Sequence, residues 1–302
     1  MTTLTTSIVE IDGRRISLSN LDKPLWPQAK ITKGDLIHYF YQMAQHLLPH
    51  LRDRPLTVTR YPNGIEGDFF YQKQCPAYAP QWIATYTVSS PERNIDYIVA
   101  NDRATLVWLA NQACIELHPW LSRKDNLTFP DRIIIDLDPD PPAGFAHAVQ
   151  VAKILQGLLE TMGLRSFPKT SGATGIHIYI PIEAKYSYRV TSQFVGFLGE
   201  LLARHQPQLV TNARLIKNRR GRVYVDHLQN LAGKTIVAPY SPRPTPQGTV
   251  SAPFPWSELE HIHPEDFTIG TMGPHQPPWF QNLDGIQQNL DHLLPLFEDR
   301  LS

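Results

Sequence analysis

The sequence predicts a mixed α/β fold, and three observations carry that prediction. Short β-branched runs such as Ile133-Ile134-Ile135 and Val223-Tyr224-Val225 suit strands buried in a pleated sheet. Between the apolar runs lie segments with helical spacing, of which 145–162 and 191–205 are the longest. The 302 residues, 42% of them hydrophobic, suffice for one large domain or two modest lobes and exclude wholesale disorder. The 27 prolines point to ordered turns rather than a helical bundle.

Taken in order, residues 8–18 read as a hairpin about Asp12-Gly13, followed by a proline-braced loop to Pro27. Thr32 is an N-cap for a helix over 33–48, with Leu36, Ile37, Phe40, Met43, Ala44 and Leu47 on one face. A strand over 56–60 runs into the turn Tyr61-Pro62-Asn63-Gly64, and 69–74 is aromatic and basic together. Strands are expected at 95–98 and 115–120, around a helix over 102–113 capped by Asn101 or Asp102. The strand 132–139 stops at its prolines, because proline cannot donate to a sheet ladder. A helix over 145–162 with Gly163 at its C-terminal end leads to a Gly-rich loop and a strand over 176–181. The spacing then predicts a helix over 191–205, a basic run over 214–222, a strand over 223–226 and a final helix over 284–296. No repeat is visible, and no linker is long enough to separate independent domains.

Composition narrows the function. The 28 basic and 28 acidic residues cancel, so any affinity for nucleic acid must come from local patches. Cys75 and Cys114, the only cysteines, support neither a disulfide framework nor a Cys-rich zinc site, and they fit a reducing cytoplasm. Met1-Thr2-Thr3-Leu4 lacks the features of a signal peptide, and no apolar run reaches the roughly 20 residues of a membrane helix. A cytoplasmic protein with no membrane partner is expected.

The chemistry gathers around Asp136-Leu137-Asp138. Side chains two apart in a strand share a face, so these carboxylates repel unless a cation joins them. Hard oxygen ligands point to magnesium or manganese; a strand ending in a solvated acidic turn is the other reading. Asp226 repeats the pattern at the end of a second β-branched strand. If the two strands are neighbours, three carboxylates converge, enough for two metals. The loop Ser171-Gly172-Ala173-Thr174-Gly175 offers amides for an anion nest, with His177 on the strand beyond, although such a turn is commonly only a turn. Arg214, Lys217, Arg219, Arg220 and Arg222 are either a solvated face or cations for a triphosphate. Trp26, Trp82, Trp108 and Trp120 read as core contacts, and His261 and His263 as loop residues. A manganese-dependent glycosyltransferase is a rival class, since an acidic pair also binds nucleotide-sugar phosphates; the third carboxylate argues against it.

Together, Asp22-Lys23-Pro24-Leu25-Trp26-Pro27, Arg60-Tyr61-Pro62-Asn63-Gly64, Phe69-Phe70-Tyr71-Gln72-Lys73, Glu116-Leu117-His118, Ile135-Asp136-Leu137-Asp138-Pro139, Thr170-Ser171-Gly172, Gly175-Ile176-His177 and Val225-Asp226 resemble the polymerase domain of bacterial DNA ligase D, of the archaeo-eukaryotic primase superfamily. The resemblance runs nearly end to end. It implies a two-lobed primase-polymerase fold over 1–302, with an RRM-like catalytic sheet, intimately packed lobes and an active-site cleft between them. It also implies a template-dependent nucleotidyltransferase that extends a primer with nucleoside triphosphates, ribonucleotides preferred, and fills short gaps in end joining or excision repair. Asp136, Asp138 and Asp226 match carboxylates that hold two Mn2+ or Mg2+ ions. Ser171, His177, Arg219 and Arg243 match nucleotide phosphate contacts, and His118 a histidine near the sugar. Lys23 and Lys33 match lysines on a downstream 5′-phosphate, and Phe69 or Phe70 an aromatic stacked on template DNA. Gapped, nicked or broken DNA, a DNA ligase and Ku are the implied partners, and the bacterial nucleoid the implied location. Ala173-Thr174 departs from the Gly-Lys of many members, and nothing resembles a ligase or nuclease module.

Overall fold

The computed structural model describes residues 6–90, 93–277, 280 and 283–297. They divide into two compact units: Met1–Trp120 with Val237–Ser251 and Glu265–Pro277, and Leu121–Ile236 with Ala252–Pro264 and Pro278–Ser302.

In the first unit, β1 (Thr6–Ile11) and β2 (Arg14–Ser19) form the expected hairpin. Asp12 and Gly13 both take the left-handed conformation, at φ 51° and 73°, that a tight two-residue hairpin turn requires. A small ribbon of β3 (Pro24–Trp26) and β4 (Ile31–Thr32) leads into α1 (Lys33–Gln42). Thr32 Oγ1 accepts from Asp35 N (3.2 Å), and Asp35 Oδ2 accepts from Thr32 N (2.8 Å), a reciprocal cap. The helix expected over 33–48 is broken. Met43 leaves helical geometry at ψ 3°, and α2 (Ala44–Leu51) starts anew, although the apolar spacing runs on through Met43.

The central strand of the first sheet is β5 (Leu56–Arg60). It pairs antiparallel with β6 (Phe70–Gln72), β8 (Asn94–Ile98) and β9 (Cys114–Pro119), while β7 (Thr85–Ser89) extends the sheet beyond β8. The unexpected β7 is half exposed and polar, so it lacks a core-facing stripe. Between β8 and β9 lies α3 (Arg103–Asn111), capped by Asp102, whose Oδ1 accepts from Thr105 N at 2.7 Å. Asn101, the other candidate cap, is instead engaged by Asp53.

In the second unit, β10 (Arg132–Pro139) lies between β12 (Ile176–Pro181) and β14 (Val223–Asp226), with β11 (Phe167–Thr170) and β13 (Val210–Thr211) at the edges. Every pairing is antiparallel except β13 with β14. Ile133, Ile135 and Leu137 project from one face of β10; Ile134, Asp136 and Asp138 project from the other. Two helices pack on the sheet, α4 (Phe145–Thr161) and α5 (Tyr188–His205). The second begins three residues before the expected Thr191, because Ser187 Oγ accepts from Val190 N and caps it there. The helix expected over 284–296 is absent; Leu283–Gly285 and Leu294–Leu296 are single 3-10 turns. Its amides are spent elsewhere: Leu290 N donates to the Tyr186 hydroxyl (2.6 Å) and Asp291 N to Asn289 Oδ1 (2.7 Å).

Trp26, Trp108 and Trp120 are buried, as the core reading expects, whereas Trp82 is only partly buried, under Arg14. Both cysteines are free thiols. Among the described residues no helix is long and apolar enough to cross a membrane.

Candidate active site

Strand register draws a single row across the second sheet. Lys169 of β11 pairs with His177 of β12, His177 with Asp136 of β10, and Asp136 with Asp226 of β14. The strands bearing Asp136 and Asp226 are therefore neighbours, the condition on which the three-carboxylate reading depends. Burial pushes the Asp226 carboxyl up; an N–H from Leu228 at 2.9 Å opposes the shift, and the charge of Asp136 adds to it. Beside it the Tyr224 hydroxyl is pushed up to about 12, first by burial and then by Asp226. His177 Nε2 lies 3.3 Å from Asp136 Oδ1. Arg219 is almost covered, with its guanidinium 4.3 Å from the centroid of the Tyr224 ring and Nη1 2.5 Å from Asp138 Oδ2.

Among the described residues, no three His, Cys, Asp or Glu side chains form a ready metal-binding group. Asp138 is engaged by Arg219. The donor chemistry nevertheless fits a hard divalent cation. All three candidates are carboxylates, hard oxygen donors, and Asp136 and Asp226 stand directly opposite each other on neighbouring strands.

The Gly-rich loop is partly closed on itself. Ser171 Oγ accepts from Ala173 N (3.1 Å) and Gly175 N (3.0 Å), so two amides of the expected anion nest are already engaged. Gly175 is required here: a Cβ would collide with the carbonyl oxygen of Leu137. Within the basic run, Arg222 donates to the carbonyls of Arg219, Pro207 and Asn218 and serves the turn itself.

The first unit carries the other candidates. Glu116 and His118 share a face of β9, and the buried Glu116 carboxylate lies 2.9 Å from Arg243 Nε and 3.6 Å from His118 Nε2. Burial alone would raise its pKa, but His118, Arg243 and Thr59 outweigh burial and leave it lowered, so Glu116 is held as an anion. Phe69 and Phe70 are 52% and 45% exposed. Phe69 stacks on Tyr61 at 5.2 Å, and the Arg60 guanidinium lies 5.3 Å from the Phe70 centroid. Large exposed aromatic faces of this kind suit base stacking.

Lys23 Nζ is exposed and donates to Asn63 Oδ1 at 3.0 Å. Lys33 does not point into solvent. It is 5% exposed, its Nζ lies 3.2 Å from Asn111 O and 3.4 Å from Ser19 Oγ, and burial followed by the charge of Lys23 lowers its pKa. An anion held jointly by the lysines and the helix amides is ruled out in this structure. Lys33 N donates to Lys23 O and Gly34 N to Leu21 O, both at 2.8 Å, and Asp35 N donates to Thr32. Only the ammonium groups remain for a phosphate.

Two supporting residues escaped the sequence reading. Glu116 could have been found from its i, i+2 relation to His118 on one strand. Lys169 has no such signal, since only the pairing of β11 with β12 brings it to His177.

Carboxylates on one face of the sheet, with an arginine, a histidine and a Gly-rich turn around them, suit the chemistry of nucleotidyl transfer. The family model described as LigD, primase-polymerase domain, matches residues 32–276, and the chain belongs to this family of DNA-directed nucleotidyltransferases. It is 41% identical over 261 residues to the bifunctional non-homologous end joining protein LigD of Bacillus subtilis, covering 85% of this chain and 42% of that protein. It is 35% identical over 255 residues to the multifunctional non-homologous end joining DNA repair protein LigD of Mycobacterium tuberculosis, covering 82% of this chain and 34% of that protein. The chain thus spans less than half the length of these relatives. The polymerase domain from Mycobacterium tuberculosis ligase D in complex with DNA superposes with a TM-score of 0.77 at 31% identity, covering 94% of this chain and 99% of that one.

Proposed function

We propose that this chain is a template-dependent polymerase that extends a primer 3′-hydroxyl and fills short gaps during end joining or excision repair, with ribonucleotides preferred. The observation that carries the reading is the direct pairing of Asp136 with Asp226, with Asp138 on the same face of β10. Family membership disfavours the glycosyltransferase alternative.

In this reading Asp136, Asp138 and Asp226 hold two Mn2+ or Mg2+ ions. When bound, the ions would lower the pKa of the attacking hydroxyl and neutralise charge on the departing pyrophosphate. The chain's own groups orient the nucleotide. Arg219 and His177 donate to phosphate oxygens, and Arg219 is stiffened for this by the Tyr224 ring beneath it. Ser171 shapes the Gly-rich turn through the two amides its hydroxyl accepts from and sits beside a phosphate. In the first unit His118 meets the sugar and Arg243 a phosphate, and the Glu116 carboxylate holds both side chains in place. Phe69 or Phe70 stacks on template, and Lys23 and Lys33 take the downstream 5′-phosphate of gapped, nicked or broken DNA. A DNA ligase and Ku complete the proposed pathway, placed in the bacterial nucleoid.

Primer extension on a gapped duplex, with each metal and each sugar, tests the reading. Extension should require a divalent ion, be better with manganese than magnesium, and favour ribonucleotides. Templated addition absent under every condition would overturn it.

A further inference from the structure

The row across the second sheet has a member with no role so far. Lys169 is fully buried, its Nζ lies 2.9 Å from His177 Nδ1, and it sits 5.8 Å from the centroid of the Tyr179 ring. With Lys169 as an ammonium group, which can only donate, this contact requires Nδ1 to accept and puts the imidazole proton on Nε2. Nε2 is the nitrogen that faces Asp136 Oδ1 at 3.3 Å. We propose that Lys169 is a positioning residue that locks His177 in the Nε2–H tautomer, so that the imidazole offers a donor, not a lone pair, to the Asp136 carboxylate and its acidic neighbours.

Three features support this assignment. The contact is dictated by backbone pairing, since Lys169 and His177 are direct cross-strand partners and not two long side chains that happen to meet. Burying an ammonium is costly, and a residue needed only to fill space could be methionine without that cost. The geometry also has a chemical consequence. In the opposite tautomer a lone pair on Nε2 would face the Asp136 carboxylate, and it would face the oxygens of any phosphate bound there; both contacts are repulsive. A neighbour that fixes a histidine tautomer acts as the outer partners of metal-site histidines do, through orientation and not through contact with substrate.

The proposal rests on the nucleotide-binding role given to His177, so the test includes a measurement that needs no turnover. Long-range 1H–15N correlation spectra of the ligand-free full chain report which ring nitrogen of His177 carries the proton, with His177→Ala supplying the assignment. Wild-type His177 should be protonated at Nε2, and Lys169→Met should move it toward the Nδ1–H form. In single-nucleotide addition, Lys169→Met should lower kcat about tenfold or more. In a His177→Ala background the same change should have less than about a twofold effect, because the residue it acts through is gone. Wild-type His177 protonated at Nδ1, or an undiminished effect of Lys169→Met in the His177→Ala background, would overturn the assignment. If Lys169→Met does not fold, the wild-type tautomer still decides. Wild-type protein that adds no nucleotide but shows the Nε2–H form would refute the polymerase reading and leave the tautomer assignment standing.

Discussion

Replacing Lys33 and Lys23 together by methionine separates a phosphate site from a structural lysine, because the first role predicts lost binding with little change in stability and the second predicts the reverse. Lys33 is buried with its ammonium near two oxygens, Asn111 O and Ser19 Oγ, and burial and Lys23 lower its pKa below 10.5. The sign follows directly. The unfolded chain holds that proton more tightly than the folded one, so the charged lysine costs stability at neutral pH, and the cost is relieved as pH rises through the lowered pKa toward 10.5. Two hydrogen bonds worth about 0.5–1.5 kcal/mol each are therefore set against that cost, and the double variant should stay within about 1 kcal/mol of wild type. The functional loss should be larger. A charge-assisted contact to a terminal phosphate is worth about 1.5–3 kcal/mol, or roughly 10- to 100-fold in affinity. Fluorescence anisotropy at near-physiological salt should show wild type favouring a gap with a 5′-phosphate over the same gap with a 5′-hydroxyl by about that factor. The variant should bind both about equally and still extend a simple primer-template. As pH rises, the preference should fade earlier than for an ordinary lysine, since Lys33 loses its proton sooner. A wild-type ratio near one, or a variant that keeps the wild-type ratio, would refute the reasoning.

Three further outcomes are expected. Asp226→Ala should lower nucleotide addition by about 100-fold or more while DNA binding, which rests on phosphate contacts, and thermal stability stay near wild type, because burial already disfavours that charge. Glu116→Gln should raise KM for nucleotide and cost about 1–3 kcal/mol at neutral pH by denaturant titration. The lowered pKa of Glu116 gives a contribution fully present above 4.5 and lost as pH falls through the folded value, so the variant should show a flatter acid limb. Gly175→Ala should cost about 2 kcal/mol or more and lower Tm, because its Cβ meets backbone that cannot move aside.

How much of this was legible in the sequence depends on the range of the signal. Local chemistry read well: the Asp12-Gly13 turn, the Thr32 cap and the buried isoleucines of β10 each follow from a few neighbouring residues. The misread elements were decided by partners far along the chain. The tail at 284–296 has helical spacing but gives its amides to Tyr186 and Asn289, and β11 hides behind Pro168 because only its pairing with β12 makes it a strand. At the candidate site, spacing along two strands points to Asp136, Asp138 and Asp226, but only the pairing of β10 with β14 brings the strands together. Of the supporting residues, Glu116 had a signal in its i, i+2 relation to His118, whereas Lys169 had none, since only the pairing of β11 with β12 brings it to His177.

The deeper reason is that spacing along a strand fixes which residues share a face, whereas the site depends on which residues share a row. A one-residue slip of β14 against β10 would set Asp226 opposite Ile135 or Leu137 and turn its carboxylate to the other face. Two features outside the acidic motif pin the register. Asn230, fully buried, accepts from Ile134 N at 2.9 Å and donates to Ile134 O at 2.7 Å, so its side-chain amide continues the ladder where β14 ends. On the other flank of β10, Gly175 lets the turn before β12 close against the Leu137 carbonyl. With β10 held from both sides, His177, Asp136 and Asp226 have one way to meet, and Lys169 completes the row at the edge. The row therefore owes its alignment to a glycine and an asparagine that carry no charge, and changes at either should disturb the acidic site before they unfold the sheet.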